Sequence, residues 1–263
     1  MLKKILSMVL RWVPPYHRVR LTQELGMTLD AEGAREAMQK MVLHQVQSLP
    51  AAEALRFLFR FDAFLYGIQG HQSVRYDQGV HTKYRHTRYH DFFLERIQPG
   101  QTVMDIGCGS GLLAFQLAQK GAIVVGMDIS HEKMALASQR HVHPNLTLRQ
   151  GDALTEFVSG TFDCVILSNV LEHLTNRVQF LRSITQRYQP SFLLVRVPVF
   201  ERDWRVPLKK ELGVEWRLDR THETEYTQES FLEEIQAAGL VIRAMEVRWG
   251  ELWVEIVVGG HGT

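Results

Sequence analysis

The sequence predicts an α/β fold: a mostly parallel sheet covered by helices on both faces, closed by an antiparallel hairpin and preceded by a helical extension. Three observations carry that reading. Apolar runs that empty into a polar or glycine-rich turn and then a helix recur from Val103 onward. Those runs are continuously apolar rather than alternating, as strands buried on both faces require. Two late runs, Leu240 to Val247 and Leu252 to Val258, read as a closing antiparallel pair.

The first strand holds Val103 and Ile106 and runs into Gly107-Cys-Gly-Ser-Gly111. Leu112, Leu113, Phe115, Leu117 and Ala118 then follow at helical spacing, with Gly121 as the stop. The three glycines admit positive φ and let a ligand approach backbone amides where a Cβ would otherwise stand. A second run, Ile123 to Ile129, carries Asp128 near its end, where an acid accepts hydrogen bonds from ribose hydroxyls. Ser130 is the better cap for the helix through Lys133 to Arg140, which leaves Asp128 for a ligand. The third run, Leu146 to Gly151, ends in Asp152-Ala153. The fourth, from Phe162, opens into Ser168-Asn-Val-Leu-Glu-His173. A fifth strand at Phe192 to Val197 precedes a helix from about Gln228 to Ala238, which Gly239 stops. Ligands of open parallel sheets lie at the carboxyl ends of the strands, where these turns and acids fall.

Ahead of the sheet, Leu2, Ile5, Leu6, Val9, Trp12 and Val13 share one side of a helix, and Lys3, Lys4, Ser7 and Arg11 the other. That pattern suits an anionic membrane surface, or a face packed on its own domain or a dimer partner. Arg11 interrupts it and no small-residue cleavage site precedes Pro14-Pro15, so it does not read as a leader. Helical patterns follow from Asp30 to about Leu49 and from Pro50 to about Tyr66, and Gly67 to Val80 reads as a connection. Residues 1–78 are therefore expected to form a helical extension or lid over the cleft, and residues 79–263 the sheet domain. His81-Thr-Lys-Tyr-Arg-His-Thr-Arg-Tyr-His90 gathers cations and aromatics that suit a bound carboxylate or a solvated helix face.

With 263 residues, 45% of them hydrophobic, the chain can bury a large core. A net charge of +1 creates no global field for nucleic acid, and the basic excess lies in the N-terminal hundred residues. Cys108 in a turn and Cys164 in a strand are badly placed to pair, which points to a reducing, cytoplasmic setting with at most peripheral membrane contact. No apolar run is long enough to span a bilayer.

Asp105-Ile-Gly-Cys-Gly-Ser-Gly111 resembles motif I of class I S-adenosylmethionine (SAM)-dependent methyltransferases; a dinucleotide-binding turn would place a third glycine where Leu112 stands. From about His81 to Val258 the order of blocks is similar to small bacterial enzymes of the methyltransferase-11 and ubiquinone-methyltransferase-like type. The resemblance implies a Rossmann-like sheet of seven strands with the last hairpin antiparallel, and SAM as cofactor with S-adenosylhomocysteine (SAH) as product. It also implies a cofactor site of Asp105, Gly107, Cys108, Gly109, Gly111, Asp128, Ile129, Asp152, Ala153 and Asn169. Asp152 would meet the adenine amino group and the next backbone amide the ring. Asn169, Glu172, His173 and His222 resemble a Glu-x-x-Glu-His and distant His set that holds a divalent metal in small-RNA 2′-O-methyltransferases. Asn169 departs from it, offering an amide where that set has a carboxylate; Glu172, His173 and His222 remain the implied ligands.

Methyl transfer from a sulfonium is an in-line displacement, so the protein mainly aligns donor and acceptor and excludes water. An oxygen or nitrogen acceptor must also lose a proton, which makes His173 and His222, with Glu172 beside them, the candidate bases or metal ligands. The long segment from Arg196 to Asp219 is expected to hold a substrate lid at about 200–221. Trp204 and Trp216 there suit stacking on a sugar or aromatic ring, and Arg202 and Arg205 suit a phosphate or carboxylate. Glu201, Asp203, Glu211, Glu215 and Asp219 offset that charge, so an internally salt-bridged lid is the competing reading. Phe200 to Arg205 and Glu215 to Asp219 look like a subgroup of surface-glycan or cell-envelope biosynthesis. The expected activity is O-methylation of a small-molecule or glycan-type hydroxyl. An N-methyltransferase or RNA 2′-O-methyltransferase is the enzymatic alternative, and a non-catalytic SAM-binding or partner-binding module the alternative of another class.

Overall fold

The computed structural model describes residues 31–259, so the amphipathic pattern at Met1 to Val13 lies outside the described residues. The chain divides into two compact units between Phe59 and Arg60. Helix α1 spans Ala31–Gln47 in the first. Helix α2, Ala51–Tyr76, starts there and continues into the second. It runs on past Tyr66, through most of the segment expected as a connection. A glycine inside a helix costs only roughly 1 kcal/mol, so Gly67 and Gly70 do not stop it. It ends where Gln78 (φ 54) and Gly79 (φ 104) turn left-handed and Gly79 N donates to Val74 O at 2.8 Å.

In the second unit, short helices α3 (Lys83–Thr87) and α4 (Tyr89–Arg96) precede the sheet, with left-handed Arg88 between them. Strand β1 (Thr102–Ile106), helix α5 (Leu112–Gln119), β2 (Ile123–Asp128), α6 (His131–Arg140), β3 (Leu146–Gln150) and β4 (Cys164–Ser168) follow. Next come a 3-10 turn (Leu171–His173), α7 (Arg177–Tyr188), β5 (Phe192–Pro198), a second 3-10 turn (Phe200–Arg202) and α8 (Arg205–Glu211). Helix α9 (Gln228–Ala237), β6 (Val241–Arg248) and β7 (Glu251–Val257) complete it.

These form one seven-stranded sheet in the order β3-β2-β1-β4-β5-β7-β6. Strands β1 to β5 pair in parallel; β7 lies between β5 and β6 and is antiparallel to both. This is the class I methyltransferase sheet, with the closing hairpin reversed as expected. Trp249 (φ 55) and Gly250 (φ 75) make its two-residue turn in the left-handed pair of conformations that matches strand twist. Strands β1, β4 and β5 are buried nearly throughout, which is why their sequences do not alternate. Strand β6 is a half-exposed edge carrying Arg243, Glu246 and Arg248, charges that discourage pairing with another chain.

Two apolar cores flank the sheet. One joins α4 and α5 to it through Phe92, Phe93, Ile97, Leu117 and Trp253; the other joins α7 and α9 through Phe180, Ile184, Phe231 and Ile235. Caps fix the helix starts: Ser130 accepts from Lys133 N at 3.3 Å, and Thr227 and Ser230 form a reciprocal capping box. No described helix is long and apolar enough to cross a membrane. Phe93 is fully buried and meets Phe92 and Trp253 edge-on or tilted. Phe93→Ala is expected to cost about 3–5 kcal/mol, read as a lower urea midpoint with an unchanged slope; a midpoint equal to wild type would show that α4 does not depend on this contact.

Candidate active site

The site is built at the carboxyl ends of β1, β4 and β5. The chain leaves β1 through Gly107, whose φ is +70° and whose Cβ, if present, would fall 2.6 Å from Val170 Cγ2. Only glycine allows the two loops to meet there. Two residues on, Gly109 N donates to Asp128 Oδ2 at 2.9 Å, while Asp128 Oδ1 accepts from Ser130 N at 2.8 Å. The Asp128 carboxylate therefore pins the glycine turn to the end of β2. At the exit of β4, Asn169 is left-handed (φ 56) and its N–H donates to Arg196 O on β5 at 2.8 Å, which turns the chain into the Leu171–His173 segment.

A polar cavity of about 280 Å³ lies between these turns. Asp105, Gly107, Cys108 and Gly109 line it from the β1 turn, Asn169 and His173 from the β4 exit, and Arg196 from β5. Lys83, Tyr84, Tyr89 and His90 approach from α3 and α4, and Lys133 from α6. Of the expected cofactor residues, Gly111 stands behind this wall, turning the chain into α5 and packing toward Ala137 and Leu148. Asp128, Ile129, Asp152 and Ala153 sit beyond it along the same sheet edge, where Gly151 N donates to Asp128 O at 3.1 Å and draws the ends of β2 and β3 together.

Among the described residues, three buried polar atoms of cavity-lining side chains lack any partner: Asp105 Oδ2, Asn169 Oδ1 and Arg196 Nε. Burial first, and the charge of Asp128 second, push the Asp105 carboxyl up to about 7. A ligand bearing an amino group would supply donors to the two oxygens, and at Gly109, where a Cβ would meet nothing within 4 Å, the wall is open. These features fit SAM. Burial also pushes the Cys108 thiol up, leaving it unreactive.

The structure brings Glu172, His173 and His222 together, with one potential ligand atom from each lying within 4.8 Å of the others. Sequence separation is bridged by the backbone: Glu172 O accepts from Glu223 N at 2.8 Å and Thr224 N at 3.2 Å. The His173 and His222 rings meet edge to face at 4.6 Å. Glu172 is fully buried with both carboxylate oxygens unpartnered, and burial pushes it up to about 8. Burial, then the neighbouring His222, hold His173 below the ordinary histidine range, so it is neutral at pH 7. His173 also lines the cavity, its Nδ1 3.0 Å from Thr221 Oγ1. His222 Nδ1 is bound to Glu225 Oε1 at 3.1 Å. Burial opposes ionisation of Glu225, but hydrogen bonds from His222, Leu218 N and Arg202 keep it below the usual carboxylate range. Two histidines beside an unpartnered carboxyl fit a divalent cation of mixed nitrogen and oxygen preference.

The expected lid residues do not reach the cavity. Arg202 donates to Val199 O at 2.9 Å, Trp216 O at 3.0 Å and Glu225. Arg205 pairs with Asp203, and Arg217 with Glu215 at 2.9 Å. Trp216 packs edge-on against Phe200 at 5.3 Å, and Trp204 is exposed. This is the internally salt-bridged arrangement. Lys133, Ser168 and Arg196 also line the cavity, and from the cationic and aromatic stretch His81 to His90 it is Lys83, Tyr84, Tyr89 and His90 that do. Arg196 did leave a signal, as the lone charge in Phe192-Leu-Leu-Val-Arg-Val197.

Residues 104–195 match the methyltransferase domain model Methyltransf_11. The chain is 28% identical over 138 residues to the ubiquinone biosynthesis O-methyltransferase of Haemophilus ducreyi, covering 48% of this chain and 58% of that protein. It is 29% identical over 158 residues to the ribosomal protein L11 methyltransferase of Thermotoga maritima, covering 58% and 57%. It thus spans little more than half the length of these curated relatives. Among solved structures, magnesium protoporphyrin IX methyltransferase from Synechocystis PCC 6803 with bound SAH superposes with a TM-score of 0.54 at 21% identity, over 66% of this chain and 84% of that one. A small RNA methyltransferase superposes with a TM-score of 0.54 at 22% identity, over 65% of this chain and 25% of that one. These likenesses establish the fold.

Because Glu172 keeps its proton in the folded protein up to about pH 8 but releases it near 4.5 when unfolded, it destabilises the fold increasingly as pH rises through that window. Glu172→Gln is therefore expected to stabilise the metal-free protein at pH 8 but not at pH 4, at roughly 1.4 kcal/mol per pH unit of the window. Thermal melts across pH check this; a gain of equal size at both ends would show that the carboxyl is not buried and unpaired.

Proposed function

We propose, for a chain carrying a class I SAM-dependent methyltransferase domain, that it moves the methyl group of SAM to a hydroxyl of a small-molecule or glycan-type acceptor. The observation that carries this is the convergence of Glu172, His173 and His222 at the edge of the cavity that fits SAM. A hydroxyl is a poor nucleophile until its proton is drawn away, and a neutral histidine facing the cavity is suited to accept that proton. SAM supplies an electrophilic methyl group on a sulfonium. Asp105, Gly107, Gly109 and Asn169 hold the amino-acid end, and the acids at the ends of β2 and β3, Asp128 and Asp152 with their neighbours Ile129 and Ala153, take the nucleoside end. His173, at the rim, receives the hydroxyl proton. Glu225 engages His222 Nδ1 and so orients the ring beside His173 and Glu172. We take residues 79–263 as the catalytic domain and 200–221 as a lid that orders His222 through Glu225.

A second reading rests on the two unpartnered Glu172 oxygens. Glu172, His173 and His222 would hold a divalent cation, which supplies Lewis acidity that lowers the acceptor hydroxyl's pKa. In that case Glu172 ionises on loading, and His173 serves as ligand rather than base.

Calorimetry is expected to show SAH binding, and no heat would end the methyltransferase reading. With a panel of hydroxylated aromatics and glycans as acceptors, His173→Ala is expected to lower kcat by about 10²-fold or more while SAH affinity is kept. Metal analysis of the purified protein, then turnover with and without chelator, separates the two roles. Full turnover with no bound metal leaves base catalysis; loss on chelation, restored by a divalent cation, establishes the metal.

A further inference from the structure

Arg196 is the most anomalous side chain in the cleft. It lies on central strand β5, is only 6% exposed, and lines the cavity. A guanidinium offers five N–H donors and stays charged, yet among the described residues Arg196 makes no side-chain hydrogen bond, and its Nε is buried without a partner. The nearest carboxylate, Glu251 Oε2, is 3.8 Å from Nε, beyond hydrogen-bond reach. The head group instead lies over two aromatic rings, with its central carbon 4.2 Å from the Tyr89 ring centroid and 5.3 Å from that of Trp253. A buried charge with idle donors is costly unless a partner arrives. Contact with aromatic rings restrains the head group without using its N–H donors, which leaves the fork able to take an anion.

Position says which ligand brings that anion. Arg196 is in register with Ser168 at the end of β4, and its carbonyl receives Asn169 N–H. It therefore stands beside the loop of Glu172 and His173, with β4 between it and the Asp105 turn on β1. Lys83, also in the cavity wall, adds a second cation at the exposed mouth. Glu251 offsets part of this charge, and burial pushes its carboxyl up, which weakens its claim on the arginine.

We infer that Arg196, with Lys83 at the rim, is an anion-recognition site for the methyl acceptor, which carries a carboxylate or phosphate near the hydroxyl to be methylated. This rests on the reading that the same cleft binds SAM and an acceptor. The test uses the full chain, Arg196→Met, Arg196→Lys and the surface variant Lys83→Met, with thermal melts to confirm folding. Two probe pairs are titrated calorimetrically with and without SAH: 4-hydroxybenzoate against its methyl ester, and glucuronate against glucose. At least one anion is expected to bind wild type better than its neutral partner, by about tenfold or more, and Arg196→Met is expected to abolish that preference. Arg196→Lys and Lys83→Met would retain part of it. SAH and 5′-methylthioadenosine, which lacks the amino-acid carboxylate, are expected to keep their affinities within about twofold in every variant. The inference is overturned if no anion is preferred, if the preference survives Arg196→Met, or if Arg196→Met weakens SAH but not 5′-methylthioadenosine, since the arginine then serves the cofactor's own carboxylate. Failure of SAH to bind wild type would overturn the methyltransferase reading instead, and the titrations without SAH still decide the role of Arg196.

Discussion

The parallel register of β1, β4 and β5 is the constraint on which the rest of this molecule depends. Ile106 pairs with Leu167, and Ser168 with Arg196, so the ends of β1 and β4 lie beside Arg196 near the end of β5. Their interiors are apolar on both faces, and the two flanking cores exclude water from everything except the ends. Polar groups carried to that edge are thus placed in a low dielectric, where each counts for far more than it would on a surface. Asp105, Asn169 and Arg196 occupy it with unpartnered atoms. Hydrophobic burial holds in place charges that by themselves oppose folding, a conflict of local and global preference of the kind that marks functional sites.

A second dependency runs through backbone carbonyls. Glu172 O receives both Glu223 N and Thr224 N, which fastens the β4 loop to the segment ahead of α9. His222 is buried beside Glu172 for that reason. Glu225, in turn, collects Arg202, Leu218 N and His222 on one carboxylate, so the inserted segment ends on a ligand of the histidine pair rather than on solvent. In the proposed mechanism the insertion would act through this carboxylate, with Arg202, Arg205 and Arg217 paired to Glu225, Asp203 and Glu215.

The sheet was legible because each strand is a continuous apolar run punctuated by Gly or Asp, and because Ser130 and Thr227 announce the helices they cap. The glycine turn, the Leu-Glu-His loop and His222 were legible as motifs. Helix α2 was misjudged at its end, since Gly67 and Gly70 read as breakers while the surrounding side chains tolerate a helix. The insertion showed its charges but not their pairing, because (i, i+2) partners such as Asp203 with Arg205 and Glu215 with Arg217 satisfy one another only once the backbone is known. Arg196 was passed over for the opposite reason. Within an apolar strand one charge looks like noise, and only burial without hydrogen bonds reveals it as idle.

Charge placement within the cleft gives the two ligands an order. The unpartnered acid sits at the end of β1 and the unpartnered guanidinium at the end of β5, with Asn169 and His173 between them on the β4 exit. A donor with a cationic sulfonium and amino group is favoured on the acid side, and an acceptor with an anionic group on the arginine side. The opposite placement would set like charges together in a low dielectric, at a cost of several kcal/mol for each desolvated pair. In the proposed transfer to a hydroxyl, the sulfonium would lose its charge as the methyl group leaves, while the acceptor oxygen would lose a proton. In the proposed reaction, a histidine held neutral between the two charged ends would stand where that proton departs, so the polarity of the sheet edge would set both the direction of transfer and the position of the base.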